Sequence, residues 1–390
     1  MTLDIANTLP VDWTKATLVG RAWVPSVDGP SVIKVTPDGV FDITKAAPTM
    51  ADLCNGDDPT AKAKAATGPR LGSIEDLLAN TEAGSIDTKK PYLLAPVDLQ
   101  AVKACGVTFV TSMLERLVEE QAKGDPSKGD AIRAEIQKEI GTSLKALKPG
   151  SDEAMRLKEL LIKRGRWSMY LEVGIGPDAE VFTKCPPMAS VGTGAEIGIH
   201  PISTWNNPEP EIVMIVSGQG KIVGASLGND VNLRDVEGRS GLLLGKAKDQ
   251  NASSAIGPFI RLFDDGYTLD DLRNTVVELR VDGPDQFVLE GASSVAEISR
   301  DLTDLVSQTI GKHHQYPDGV CLYSGTMFAP IKDRSKPGLG FTHELGDIVT
   351  IRADRLGALI NRVVHTDQAP PWTFGATALM RNLAKRGLLA

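Results

Sequence analysis

Between residues 18 and 44 the chain reads as short, mostly apolar runs of β type, residues 31–35 and 40–43 among them, separated by Asp28-Gly29 and Asp38-Gly39. Period-two alternation puts every second side chain on one face of a strand. Asp-Gly pairs tolerate the positive φ that tight hairpin turns need, so this region predicts β-hairpins. Residues 46–90 are polar and rich in alanine and glycine. A boundary is expected near Pro91, giving a small β-rich N-terminal domain over 1–95 and a larger domain over 96–390. The period changes over 113–165. Ile132, Ile136 and Ile140 recur every fourth residue behind Asp130, a side chain able to cap a helix. Pro149-Gly150 breaks that run, and Ser151 caps a second one carrying Met155, Leu160 and Leu161, ended by Gly165. Charge on the outer faces marks this helical insertion as scaffold or lid.

From Trp167 onward strands dominate. Residues 211–216, 275–281 and 286–290 are short β-type runs, with Asp282-Gly283-Pro284-Asp285 turning between the last two. Ser294 and Glu297 have the spacing of a capping box ahead of Ile298, Leu302, Leu305, Val306 and Ile310. Strands return at 347–351 and 358–364. Strands and helices do not alternate as βαβ units do, so the expected class is α+β with a large mixed sheet.

Composition narrows the function. With 42% hydrophobic and 24% charged residues in 390, the balance is that of a globular protein with room for a sizeable core. A net charge of −8 with no basic stripe argues against nucleic acid. The opening residues lack a basic head and an apolar core, and no run of 18 apolar residues occurs, so neither a secretory signal nor a membrane span is expected. Cys54, Cys105, Cys185 and Cys321 form no CxxC pair; reduced thiols in a cytoplasmic protein are the expectation. The adjacent His313 and His314 would face opposite sides of a strand, and Gly192-x-Gly194 runs to Gly198, one residue too long for a dinucleotide fingerprint.

The informative chemistry lies at Pro208-Glu209-Pro210-Glu211. Two residues apart on a strand, Glu209 and Glu211 point the same way, and the prolines place this end at an edge or entry. The chain returns through a turn at 217–221 to Gly228-Asn229-Asp230, which can bring Asp230 beside them. Three gathered carboxylates repel unless a cation joins them, and a hard cation such as Mg²⁺ takes oxygen ligands. Such an ion would keep positions open for the carboxylate and keto oxygens of a 2-keto acid. Lys246, in Gly245-Lys246-Ala247-Lys248-Asp249, is the expected balancing cation.

These residues, in this order, resemble the fumarylacetoacetate hydrolase family over roughly 96–365. The shared pattern is Glu209-Pro210-Glu211, then the segment from Asn229-Asp230-Val231 to Arg234-Asp235, then Gly245-Lys246, Gly257-Pro258, Gly325-Thr326 and Gly346-Asp347. The resemblance implies a mixed β-sheet roll or barrel, Glu209, Glu211 and Asp230 as ligands of Mg²⁺ or Mn²⁺, and Lys246 and Thr326 in the pocket. It also implies a homodimer or homotetramer. Where hydrolases of the family carry a His–Glu pair, this chain has Ser112 and Glu115, which disfavours water-driven C–C cleavage. That departure resembles the sugar-acid dehydratase branch. The implied reaction is dehydration of a 2-keto-3-deoxypentonate, 2-keto-3-deoxy-D-xylonate first, to 2,5-dioxopentanoate in pentose catabolism. The alternative is an acylpyruvate hydrolase or oxaloacetate-type decarboxylase. Lys246 and Glu115 are the expected proton-transfer residues. Ser112, Thr326, Gly325, Phe109 and Arg234 are expected to contact substrate.

Overall fold

The computed structural model describes residues 2–109, 113, 114, 117, 131, 132, 134, 147–165, 167–327, 332–334 and 340–389. Asp130, Ile136 and Ile140 of the expected insertion lie outside the described residues, as do Ser112 and Glu115. Its second helix is present as expected: Asp152–Lys163, with the Ser151 side chain accepting from the Ala154 amide. Gly165 follows at φ +65, a left-handed backbone that glycine adopts without strain.

The architecture is α+β, built on two mixed sheets. The larger has eleven strands. Its path runs from Arg70–Gly72 through Gly39–Asp42, Gly29–Thr36 and Leu18–Val24 to Ser254–Leu262. It continues through Ile222–Asp230, Pro210–Val216, Val320–Tyr323 and Ala101–Gly106 to Glu180–Cys185, while Tyr92–Leu94 pairs with Leu18–Val24. The smaller runs Val288–Ser294, Val276–Asp282, Ile348–Ala353, Gly357–His365, Glu196–Ile199. Val320–Tyr323 with Ala101–Gly106, and Gly357–His365 with Glu196–Ile199, are parallel; the other named pairs are antiparallel. Both paths are open, so the described strands close no barrel, unlike that half of the expectation. The hairpins expected at 18–44 are joined to the larger sheet, since Leu18 and Val19 register with Arg261 and Ile260.

Strand Pro210–Val216 is buried along its whole length. Ile212, Met214 and Val216 enter the main core between the sheets, with Leu279, Ile351, Val363 and Leu305. Val213 and Ile215 enter a second core on the other face, with Met50, Leu53, Val102 and Ile260. Each such side chain contributes roughly 1.5–3 kcal/mol by leaving water, which fixes the register of the strand that carries Glu211.

Two readings change. The polar stretch 46–90 contains helices Met50–Cys54, Pro59–Ala65 and Ile74–Ala79, capped by Thr49, Asp58 and Ser73. Three- to five-residue apolar clusters such as Met50, Leu53 and Cys54 are too short to show a period, yet they are fully buried. The Ser294–Glu297 spacing is not a cap. Ser294 ends a strand paired to Val276, and Asp301 caps the helix Leu302–Thr309 instead. Among the described residues no helix is long and apolar enough to cross a membrane.

Candidate metal centre

The ends of two neighbouring strands build the site. Pro210 pairs with Asn229 and Glu211 with Gly228, so the entry of Pro210–Val216 lies against the exit of Ile222–Asp230. The Asp230 amide donates to the Glu209 carbonyl at 3.0 Å, and the Glu209 amide to Asn229 Oδ1 at 3.1 Å. Pro208 and Pro210 lack an N–H, so neither leaves a donor without a partner here. One oxygen each of Glu209, Glu211 and Asp230 lies within 4.8 Å of the others, and all three residues are at most 5% exposed.

Among the described residues two lysines meet this cluster, and sequence reasoning gave neither a role in it. Lys248 donates to Glu209 Oε2 and, at 3.1 Å, to Asp230 Oδ2. The Lys184 ammonium, wholly buried, lies 2.7 Å from Asp230 Oδ1 and donates to the carbonyls of Val231 and Lys248 at 3.1 and 2.5 Å. Burial alone would lower the affinity of Lys248 for its proton. Asp230, Glu209 and Glu237 outweigh it and raise its pKa, so Lys248 is a fixed cation. Burial would likewise raise the Asp230 carboxyl, but Lys184 and Lys248 hold it below the ordinary value. Glu211 goes the other way. Burial, then the charges of Asp230 and Glu209, push its pKa well up against Lys248 and an N–H bond from Gly325. Two ammonium groups answer two carboxylates, and Glu211 carries the surplus.

The loop at Gly325 is shaped for that bond. Its amide donates to Glu211 Oε2 at 2.7 Å, its φ is +88, and an added Cβ would sit 2.1 Å from Thr108 Oγ1. Only glycine fits there. Thr326 follows, half-buried, on the wall of a small cavity of about 40 Å³ shared with the three carboxylates, Lys248, Glu180 and Glu237. Gly106, on the same wall, has no room for a Cβ because Glu180 Oε2 would lie 1.9 Å from it. Asn232 donates to Glu209 Oε1 at 3.1 Å and to Glu237 Oε2 at 2.6 Å.

Of the other residues singled out from the sequence, Lys246 is elsewhere. It is exposed, 3.2 Å from His200 Nε2, and the buried lysine is two residues on. Both sit on the short helix Leu244–Lys248, where 100° per residue turns side chains two apart to nearly opposite faces. Phe109 is buried and bridges to Ile298, away from the cavity wall. Arg234 is buried with its guanidinium 4.1 Å over the Trp205 ring, also off the wall. The signal that could have found Lys248 and Lys184 is a lysine followed or preceded by small and apolar positions in a strand or short helix, as in Val181-Phe182-Thr183-Lys184-Cys185. Glu180 carries no comparable signal.

The donor set suits a divalent cation. Three hard oxygen donors converge within one coordination sphere's reach, and the buried excess of negative charge is the imbalance that such an ion removes. The set has no thiolate or imidazole, which disfavours softer metals.

Residues 172–364 match the fumarylacetoacetate (FAA) hydrolase C-terminal family. A probable 2-keto-3-deoxyxylonate dehydratase of Haloferax volcanii is 30% identical over 195 residues, half of this chain and 63% of that protein. A 2-dehydro-3-deoxy-D-arabinonate dehydratase of Saccharolobus solfataricus is 32% identical over 199 residues, again half of this chain and 62% of that protein. Each match thus spans less than two thirds of the relative. Among solved structures, a 2-keto-3-deoxy-D-arabinonate dehydratase in its apo form superposes with a TM-score of 0.63 at 19% identity, over 89% of this chain and 99% of that one. The same enzyme complexed with magnesium and 2,5-dioxopentanoate gives 0.62 at 19% identity over the same shares. At that identity the likeness speaks for the fold.

Proposed function

We propose that this chain, which carries a fumarylacetoacetate hydrolase C-terminal domain over residues 172–364, is a divalent-metal-dependent hydro-lyase. Its substrate is a 2-keto-3-deoxypentonate and its product 2,5-dioxopentanoate. The observation that carries the reading is the surplus carboxylate: Glu211 is buried with Glu209 and Asp230, and among the described residues no lysine forms an ion pair with it. The names of the two relatives support the substrate class. In the D series, xylonate and arabinonate differ only at C2 and C3. Both centres are lost in the 2-keto-3-deoxy acid, so one compound answers both names.

Glu209, Glu211 and Asp230 would hold the ion. Mg²⁺ or Mn²⁺ bound there supplies Lewis acidity toward the carboxylate and keto oxygens of a 2-keto acid. The chain's own groups do the rest. Lys248 stays protonated and places positive charge beside the bound carboxylate. Glu180 stands on the same wall as the three ligands, and it serves to take a proton from C3. Water then leaves from C4, and a shift of hydrogen from C5 gives the aldehyde. Thr326 donates to a substrate oxygen. Atoms and electrons balance without a nicotinamide, since the net change is loss of water with internal redox.

The test uses protein stripped of metal, then supplied with Mg²⁺ and 2-keto-3-deoxy-D-xylonate. Aldehyde formation read by a coupled dehydrogenase is the expected result. Loss of diketone absorbance from an acylpyruvate, with no aldehyde from the pentonate, would make the chain a hydrolase instead.

A further inference from the structure

Five carboxylates stand on the described wall of the cavity, and three are enough for an ion. Of the other two, Glu237 is held by a specific device. Asn232 is fully buried, and its one amide nitrogen bonds both Glu209 Oε1 and Glu237 Oε2. Two carboxylate acceptors require the NH₂ end of that amide, so the orientation is fixed by chemistry. Glu237 is therefore set at a constant offset from a residue of the metal centre. It is half-buried, at the end of the helical turn Arg234–Glu237, where it faces the cavity.

We propose that Glu237 is a specificity-determining residue that selects hydroxylated monocarboxylic 2-keto acids and rejects dicarboxylic ones. The proposal rests on the metal-bound 2-keto acid reading given above. An ionised carboxylate only accepts hydrogen bonds. A hydroxyl at the far end of the substrate satisfies it, a methyl group does not, and a second carboxylate is repelled. The charge balance favours the same selection. Lys184, Lys248 and a divalent ion neutralise four of the five wall charges, so a monoanion meets a nearly balanced pocket while a dianion brings an excess. Among the described wall residues Lys248 is the only cation, and it is already bound to Glu209 and Asp230. Oxaloacetate-type substrates, with a carboxylate at each end, are disfavoured by the same group that welcomes a sugar acid.

Three five-carbon 2-keto acids separate the effects: 2-oxopentanoate, which has no hydroxyl, 2-oxoglutarate, which ends in a carboxylate, and 2-keto-3-deoxypentonate. Calorimetry on the Mg²⁺-loaded wild type should show 2-oxoglutarate binding about 10-fold or more weaker than 2-oxopentanoate. Glu237→Gln removes the charge and leaves one carbonyl oxygen to serve both Asn232 and the substrate, so it should close that gap to within about 3-fold while raising the KM for the pentonate by about 3-fold. Glu237→Ala removes the acceptor as well and should raise that KM about 10-fold, more than it lowers kcat, the loss expected for one bond to a charged group. Mn²⁺ and 2-oxopentanoate affinities should hold in both variants. A gap that survives in Glu237→Gln overturns the proposal. So does a parallel weakening of Mn²⁺ and 2-oxopentanoate, which would make Glu237 a prop for Asn232 and Glu209. If the wild type fails to dehydrate the pentonate, the proposed reaction falls, and the two unreactive ligands still decide the role of Glu237.

Discussion

Two buried ionic clusters, one around Asp347 and one around Asp230, are built on opposite principles. In one, Arg334 grips Asp347 with two bonds of 2.7 and 2.8 Å and reaches Asp285 at 2.8 Å. His343 Nδ1 and the Glu344 amide complete the shell of Asp347 at 2.9 and 3.1 Å. Burial holds His343 neutral against the pull of Asp347. Burial would raise Asp347, but His343 and Arg334 hold it low. The buried charges there are one of each sign, and Asp285 is half in water. In the other cluster, three buried carboxylates face two lysines among the described residues, and Glu211 absorbs the mismatch in a raised pKa. A matched cluster fastens a loop. A mismatched one of the same burial keeps a surplus carboxylate that a cation can answer.

The largest effect should come from breaking the matched cluster. Asp347→Asn leaves Arg334 charged and buried with half its partners gone, and should cost about 3–5 kcal/mol in a urea unfolding series. Mn²⁺ affinity of the folded fraction should change little. Loss of metal binding in step with stability would mean that the two clusters are one unit.

The mismatched cluster should respond in reverse. Glu211→Gln removes like-charge repulsion, so the metal-free variant should be as stable as the wild type or more so. It should bind Mn²⁺ at least about 100-fold more weakly, beyond the range seen when only a ligand's supporting group is lost. Metal at 100 times its dissociation constant should stabilise the wild type by about 2.7 kcal/mol and Glu211→Gln by far less. Equal stabilisation of both would place the ion elsewhere.

pH sharpens the contrast. Glu211 in the folded state holds its proton above its ordinary value of 4.5, so the folded chain binds more protons than the unfolded one as pH rises past that value. Stability of metal-free protein must then fall with rising pH, from about 4.5 up to the raised pKa of the group, by at most about 1.4 kcal/mol per pH unit for one proton. Asp347 and Asp230, whose pKa values are lowered, act only in the acid range, where stability falls as pH drops. Thermal melts across pH 5–8 should show the slope in metal-free wild type. Glu211→Gln should lose that fall and keep the rise up to about pH 6.5 that His343, held neutral by burial, contributes in both proteins; a fall that persists in the variant would assign it to another group.

A last effect concerns the loop at Gly325, which holds Glu211. Gly325→Ala puts a Cβ against Thr108 Oγ1 at φ +88 and should cost about 1–3 kcal/mol. It should also weaken Mn²⁺ binding, because the Gly325 amide holds Glu211. Wild-type metal affinity in this variant would separate the loop from the site.

Much of this was legible in the residues. Period-two alternation is enough to put Glu209 and Glu211 on one side, and the turn length brings Asp230 back to them, because a strand buried on both faces has one register. The hairpins at 18–44 and the helix behind Ser151 follow from turn and cap chemistry that acts within a few residues. What was not legible depends on contacts remote in sequence. Lys184 reaches Asp230 across 46 positions, and nothing near it in sequence announces the carboxylate. Lys248 and Lys246 share one helical turn, and only the packing of Ala247 and Lys248 inward decides which enters the site. The Ser294–Glu297 spacing fits a cap locally, and the sheet overrides it.

The central claim is that the carboxylate cluster is a divalent-cation site because it is one charge out of balance. Titration of metal-stripped protein with Mn²⁺, followed by electron paramagnetic resonance, tests it directly. The account predicts one tight site per chain that is lost in Glu211→Gln. No tight site in the wild type, or an undiminished one in the variant, would contradict it.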